Sequence, residues 1–128
     1  MPGDAPGGPR LKFSRDQRLQ HSWEFERARR EGQRLVKGCL ILNWRFSDDQ
    51  QTARLGVVTS KKIGNAVVRS RARRLLREVF RLNQHNFKQP ADLVLIARNS
   101  IAGKSCSEVA RDFVSAAKQA RLLAEEAR

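Results

Sequence analysis

Two hydrophobic periodicities run through the 128 residues of this chain. Val68, Ala72, Leu75, Leu76, Val79 and Leu82 recur three and four residues apart, and at ~100° per residue they gather on one side of a helix. The spacing predicts that helix from Ala66 to roughly Gln84. Asn65 would cap it, and it would end between Asn86 and Pro90, because a residue before proline avoids helical backbone. Between Leu35 and Phe46 the period falls to two: Leu40, Leu42, Trp44 and Phe46 face one way, and Cys39, Ile41, Asn43 and Arg45 the other. This is a strand with a mixed second face. A polar turn from Ser47 to Thr52 leads to a second strand, Arg54 to Thr59, slightly weakened by Gly56, and the two are expected to pair as an antiparallel hairpin. Asp92 to Ala97 is a nearly continuous apolar run, as a buried central or parallel strand requires.

Two further helices complete the pattern. Ser22 is the expected N-cap of a short helix, Trp23 to Glu31, with Gly32 at its C′ position. Ser105 and Glu108 form a capping box that opens a last helix, in which Val109, Phe113, Ala116, Ala117 and Ala120 share one face. The glycine- and proline-rich residues 1–9 read as a flexible tail, Arg10 to His21 as an extended arm laid over the domain, and residues 125–128 as a frayed end. What remains, residues 10–124, suits one α+β domain with one core.

Charge narrows the function. Lys+Arg number 26 against 13 Asp+Glu, a net charge of +13 with a pI near 11.3, so a polyanion is the expected partner. Six arginines, Arg69, Arg71, Arg73, Arg74, Arg77 and Arg81, stand on the central helix beside a single acid, Glu78. Like charges at i, i+4 disfavour an isolated helix by about a few tenths of a kcal/mol per pair. Phosphate offsets that, because a guanidinium stays charged and binds phosphate oxygens through a rigid fork that lysine lacks. A merely solvated basic face and a membrane surface are the competing readings, but the helix has no Trp anchors for a bilayer. Phe25 is either core or an aromatic at a groove edge able to stack on an unpaired base.

Protein-borne catalysis finds little support. The acids are scattered singly or sit in a turn (Asp48, Asp49) and in the tail (Glu125, Glu126). KIGNAV has one glycine and is no nucleotide loop, and Cys39, Cys106, His21 and His85 show no metal-ligand spacing. The cysteines are expected as free thiols, Cys39 in a strand and Cys106 at a helix start. With no apolar run of membrane length and no signal-peptide core, a cytoplasmic protein is expected.

The ordered run KKIGNAVVRSRARRLLREVFR resembles the signature of the bacterial ribonuclease P protein subunit. RLQHSWEFERARREG, LGVVTSKKIGN and DLVLIAR resemble that family's first helix, second strand and following strand. The resemblance implies an α/β sandwich with a mixed sheet, a hairpin and a left-handed βαβ crossover flanked by helices, an architecture shared with a ribosomal-protein domain. It also implies a subunit that assists a catalytic RNA in removing the 5′ leader of precursor tRNA, with Mg2+ held by the RNA and no small-molecule cofactor. Carried over by position, Lys61, Lys62, Asn65, Arg69, Ser70, Arg71, Arg73, Arg74 and Arg77 match residues that contact the catalytic RNA. Phe25, Arg29, Asn43, Ser60 and Lys61 fall where the family receives the leader. Ser70 stands where the motif usually has Asn, and Arg29 and Asn43 replace customary aromatics, so leader binding is expected to lean on charge more than on stacking. A general basic RNA-binding protein without a ribozyme partner is the alternative, which the fixed offsets of the motif disfavour. A nuclease acting without RNA is a third reading.

Overall fold

A computed structural model of the chain describes residues 15–47 and 52–123. The expected tail (1–9), most of the turn after Ser47 and the expected frayed end lie outside the described residues. The elements are α1 (Ser22–Glu31), β1 (Gln33–Lys37), β2 (Leu40–Phe46), β3 (Arg54–Val58), α2 (Ala66–Asn83), β4 (Ala91–Ala97) and α3 (Cys106–Gln119).

The strands form one mixed sheet in the order β1-β2-β4-β3. β4 lies between β2, antiparallel to it, and β3, parallel to it, with α2 as the crossover from β3 to β4. This position suits its sequence: Leu93 and Leu95 point to one face, Val94 and Ile96 to the other, and the strand is buried nearly throughout. The hairpin is therefore not the expected pairing of the 35–46 and 54–59 segments, because β4 separates them. It is β1 with β2, and the single strand expected from Leu35 to Phe46 is two strands joined at Gly38 and Cys39. Lys37 pairs with Leu40 across that turn, and Gly38 takes a φ of +55°, which costs glycine little. Cys39 is thus a turn residue. Burial and the neighbouring Asp112 carboxylate push its thiol up to about 12, so the thiol stays protonated.

One sheet face is closed by α2 and α3. Leu40, Leu42, Leu93 and Leu95 meet Leu76, Val79, Phe80, Val109 and Phe113 there, all fully buried. Two residues on α2 depart from the expected stripe: Phe80 is fully buried, whereas Leu82 is 39% exposed. The ring of Phe80 lies ~40° from Leu76 around the axis and Leu82 ~120° the other way, so the sheet meets the former and misses the latter. Asn65 caps α2 as expected, its Oδ1 accepting from the Val68 N–H at 3.1 Å, and Ser105 and Glu108 form the expected box at α3. At α1 the cap is His21 rather than Ser22: the Glu24 carboxylate accepts from the backbone N–H groups of Gln20 and His21 at 2.8 and 3.0 Å. Gly32 ends α1 with φ −101°, outside the left-handed region. What it supplies is room, since a Cβ there would stand 2.1 Å from the Trp44 carbonyl oxygen.

Candidate nucleic-acid interface

The second face of the sheet is organised as three cross-strand rows. Arg45, Asp92 and Arg54 stand side by side on β2, β4 and β3; next come Arg34, Asn43, Val94 and Gly56; the third row is Val36, Ile41, Ile96 and Val58. Helix α1 covers the first two rows and leaves most of the third uncovered.

The first row is ionic. Asp92 is fully buried and receives Arg54 through two hydrogen bonds, Nε to Oδ1 at 3.0 Å and Nη2 to Oδ2 at 3.1 Å. Arg27 and Arg45 approach the same carboxylate at 3.6 and 3.7 Å, and Arg54 also donates to Glu24 at 2.8 Å. Burial alone would raise the Glu24 carboxyl, but the N–H groups of His21 and Gln20 and the Arg54 guanidinium outweigh it and hold its pKa below the ordinary value. The cluster thereby ties α1 to three strands. Beside it Leu19, Phe25 and Ala28 pack on Val94 and Ile96. The Phe25 ring lies directly on Gly56, where an added Cβ would come within 2.3 Å of it. The glycine expected only to weaken β3 is what lets the aromatic settle on the strand.

In the third row Val36 is 47% and Val58 37% exposed, with Ile41 and Ile96 half-buried between them. This apolar strip, absent from the expected site residues, runs across the sheet to the end of β3, where Ser60 and Lys61 are exposed. Of the residues expected around the leader, Phe25, Ser60 and Lys61 border this strip. Asn43 belongs to the covered second row and is only 2% exposed, and Arg29 points away, paired with Glu26 at 2.7 Å. The period-two pattern places Val36 and Val58 on the mixed face, but only the strand order reveals that they share a row.

The basic surface begins where β3 ends. Ser60 caps the short turn Lys61–Ile63, accepting from the Lys62 N–H at 3.3 Å, while buried Ile63 anchors that turn and leaves Lys61 and Lys62 exposed. No acidic residue lies in the first turn of α2, so the helix dipole adds to these charges. The row Arg69, Arg73, Arg77 follows one edge of the apolar stripe and is half-buried, drifting outward by ~40° per step. Arg69 donates to the Gly64 carbonyl at 2.9 Å, and Arg73 donates to Thr59 Oγ1 at 2.8 Å and to Ser70 Oγ at 3.2 Å. Ser70, Arg71 and Arg74 line the outer side of the helix around exposed Val67.

Arg81 takes Glu78, the only acid of α2, at 2.7 Å. Among the described residues, no carboxylate lies within ion-pair distance of Arg69, Arg71, Arg73, Arg74 or Arg77. Bonds to carbonyls and hydroxyls orient the guanidinium groups of Arg69, Arg71 and Arg73 without neutralising them. Burial, then the charges of Arg18 and Arg73, lower the pKa of Arg77, the mark of a cation held among cations. Among the described residues no three His, Cys, Asp or Glu side chains gather to hold a metal ion, and no helix is long and apolar enough to cross a membrane.

Comparison with known proteins is consistent along the chain. A model of the Ribonuclease P family matches residues 13–121. The ribonuclease P protein component of Clostridium novyi is 37% identical over 111 residues, covering 86% of this chain and 98% of that one. The component from Clostridium beijerinckii is 38% identical over 115 residues, covering 85% and 92%. The fold is shared with the RNase P protein of Staphylococcus aureus (TM-score 0.77, 23% identity, 84% of this chain and 98% of that one) and with that of Thermotoga maritima (TM-score 0.72, 25% identity, 80% and 96%). With its basic helix and half-open sheet, the chain belongs to the ribonuclease P protein family, as a protein component of that endoribonuclease.

Proposed function

We propose that the chain binds the catalytic RNA of ribonuclease P through α2 and the turn before it, and the 5′ leader of precursor tRNA along the open strip of the sheet. The observation that carries this reading is that, among the described residues, five α2 arginines have no carboxylate partner, and three of them, Arg69, Arg71 and Arg73, are oriented by neutral acceptors. Those three are preset forks for phosphate oxygens, and Arg74 and Arg77 add charge beside them. Lys61, Lys62, Asn65, Arg69, Ser70, Arg71, Arg73, Arg74 and Arg77 make up this contact. Asn65 and Ser70 act mainly by holding the local geometry, as helix cap and as a support for Arg73.

Leader binding falls to Phe25, the Val36 to Val58 row and the exposed Ser60 and Lys61. Asn43 supports the sheet beneath α1 instead of touching RNA, and Arg29 lies outside the strip. With one ring at its border, the strip offers apolar contact and edge charge more than successive stacking. In this reading Mg2+ is held by the RNA, and cleavage takes place there. The chain's contribution is electrostatic: cationic side chains near crowded phosphates reduce their mutual repulsion.

Reconstitution tests this. Mixed with a ribonuclease P RNA at limiting magnesium, the chain should restore leader removal from precursor tRNA, while the chain alone with Mg2+ should leave the substrate intact. Cleavage by the protein alone would overturn the reading. So would an RNA that cleaves no better with the protein than without it.

A further inference from the structure

Arg15 and Arg18 lie outside the motif on α2, yet the fold brings them to it. The arm that carries them is fixed at several points. The Arg18 backbone bridges Leu55 in parallel sense, the Leu19 N–H donates to the Leu55 carbonyl at 2.9 Å, and Leu19 itself is buried with Ala28 and Val94. The Gln17 amide bonds Gln84 just beyond α2, and the short turn Arg15–Gln17 closes through the Arg18 N–H on the Arg15 carbonyl at 3.1 Å. The arm thus runs along the free edge of β3, beside the arginine flank of α2. There Arg15 and Arg18 line one groove with Gln20 and Arg77. The charge of Arg18 bears on Arg77, Arg15 lines the same groove, and the backbone of two separately anchored segments holds these cations close despite that repulsion. An anion placed between them relieves that repulsion, and a guanidinium fork suits phosphate oxygens.

We infer that Arg15, Arg18 and Arg77 form a phosphate-binding site for an RNA backbone, separate from the contacts at the start of α2. This inference rests on the proposed RNA-binding function and extends it. Arg77 stands twelve residues beyond Asn65, ~18 Å along the helix axis, so the site lengthens the RNA footprint from the far half of α2 onto the arm.

The test uses the full chain and measures affinity against salt for two ligands, a ribonuclease P RNA and a single-stranded leader oligonucleotide. Replacing Arg15→Gln and Arg18→Gln together should lower the slope of log K against log[salt] by roughly one unit, with on the order of a fivefold loss of affinity near 0.15 M salt. A control pair that removes the same charge from exposed positions of α3, Arg111→Gln with Lys118→Gln, should leave the slope nearly unchanged. The milder pair Arg15→Lys and Arg18→Lys keeps the charge and protects against misfolding; it should preserve the slope and weaken binding.

Loss with the catalytic RNA alone assigns the phosphate to the ribozyme, and loss with the oligonucleotide alone assigns it to the leader; either supports the site. An unchanged slope with both ligands, or an equal fall in the α3 control, overturns it while leaving the proposed function intact. A wild-type chain that binds neither RNA overturns the proposed function, and this site with it.

Discussion

The two faces of the sheet solve the problem of coverage in opposite ways. On one, leucines of β2 and β4 meet α2 and α3 in an apolar interior closed to solvent. On the other, a buried carboxylate and its arginines fasten the ten-residue helix α1 over two of three rows, and the last apolar row stays partly open. Apolar packing is non-directional and gains from every ångström covered, so it favours complete closure. An ionic cluster holds an element at one place and angle, so part of the face beside it can remain bare. The first face is sealed by its apolar core, and the second keeps the open row to which the proposed leader contact belongs.

The largest effect expected from breaking this division is Phe80→Ala on the closed face, at about 4 kcal/mol, read as a shifted urea midpoint. RNA binding would be lost only with the fold. Next is Asp92→Ala, which strips three arginines of their buried partner and should cost about 3 kcal/mol. Amide exchange should rise in α1 before α2. Equal protection in both helices would show that the ionic row does not fasten α1. Gly56→Ala drives a methyl group into the Phe25 ring and should cost about 1–3 kcal/mol, weakening leader binding more than binding of the catalytic RNA. A uniform loss for both RNAs would place Phe25 outside the leader contact.

A smaller effect comes from acid. The Glu24 carboxyl has a folded pKa below its unfolded one, so its contribution to stability is present above the unfolded value and is lost as pH falls through the folded value. Glu24→Gln should therefore reduce stability near neutrality and flatten the acid limb of the stability curve in the region below the ordinary glutamate range. An unchanged acid limb would separate Glu24 from the ionic cluster.

Much of this was legible in the sequence because local rules and tertiary structure agree. The bounds of α2, the Asn65 cap, the Ser105 and Glu108 box and the centrality of β4 follow from period, capping chemistry and an unbroken apolar run. Period alone places the hairpin one strand too late, because alternation looks alike on both sides of a two-residue turn. The usable signal was that Leu35 and Leu40, both directed to the closed face, stand an odd number of residues apart across Gly38. Strand order cannot be read from period at all, so the row of Val36, Ile41, Ile96 and Val58 and the seating of Phe25 on Gly56 emerge only with the register. The arginines of the motif were visible, but Arg15 and Arg18 needed the arm's course along β3.

The arginine flank of α2 is probed most directly by the salt dependence of binding to ribonuclease P RNA. Replacing Arg73→Gln and Arg77→Gln together should lower the slope of log K against log[salt] by roughly two units while the chain stays folded. A slope equal to that of the wild-type chain would remove both side chains from the RNA and contradict the account.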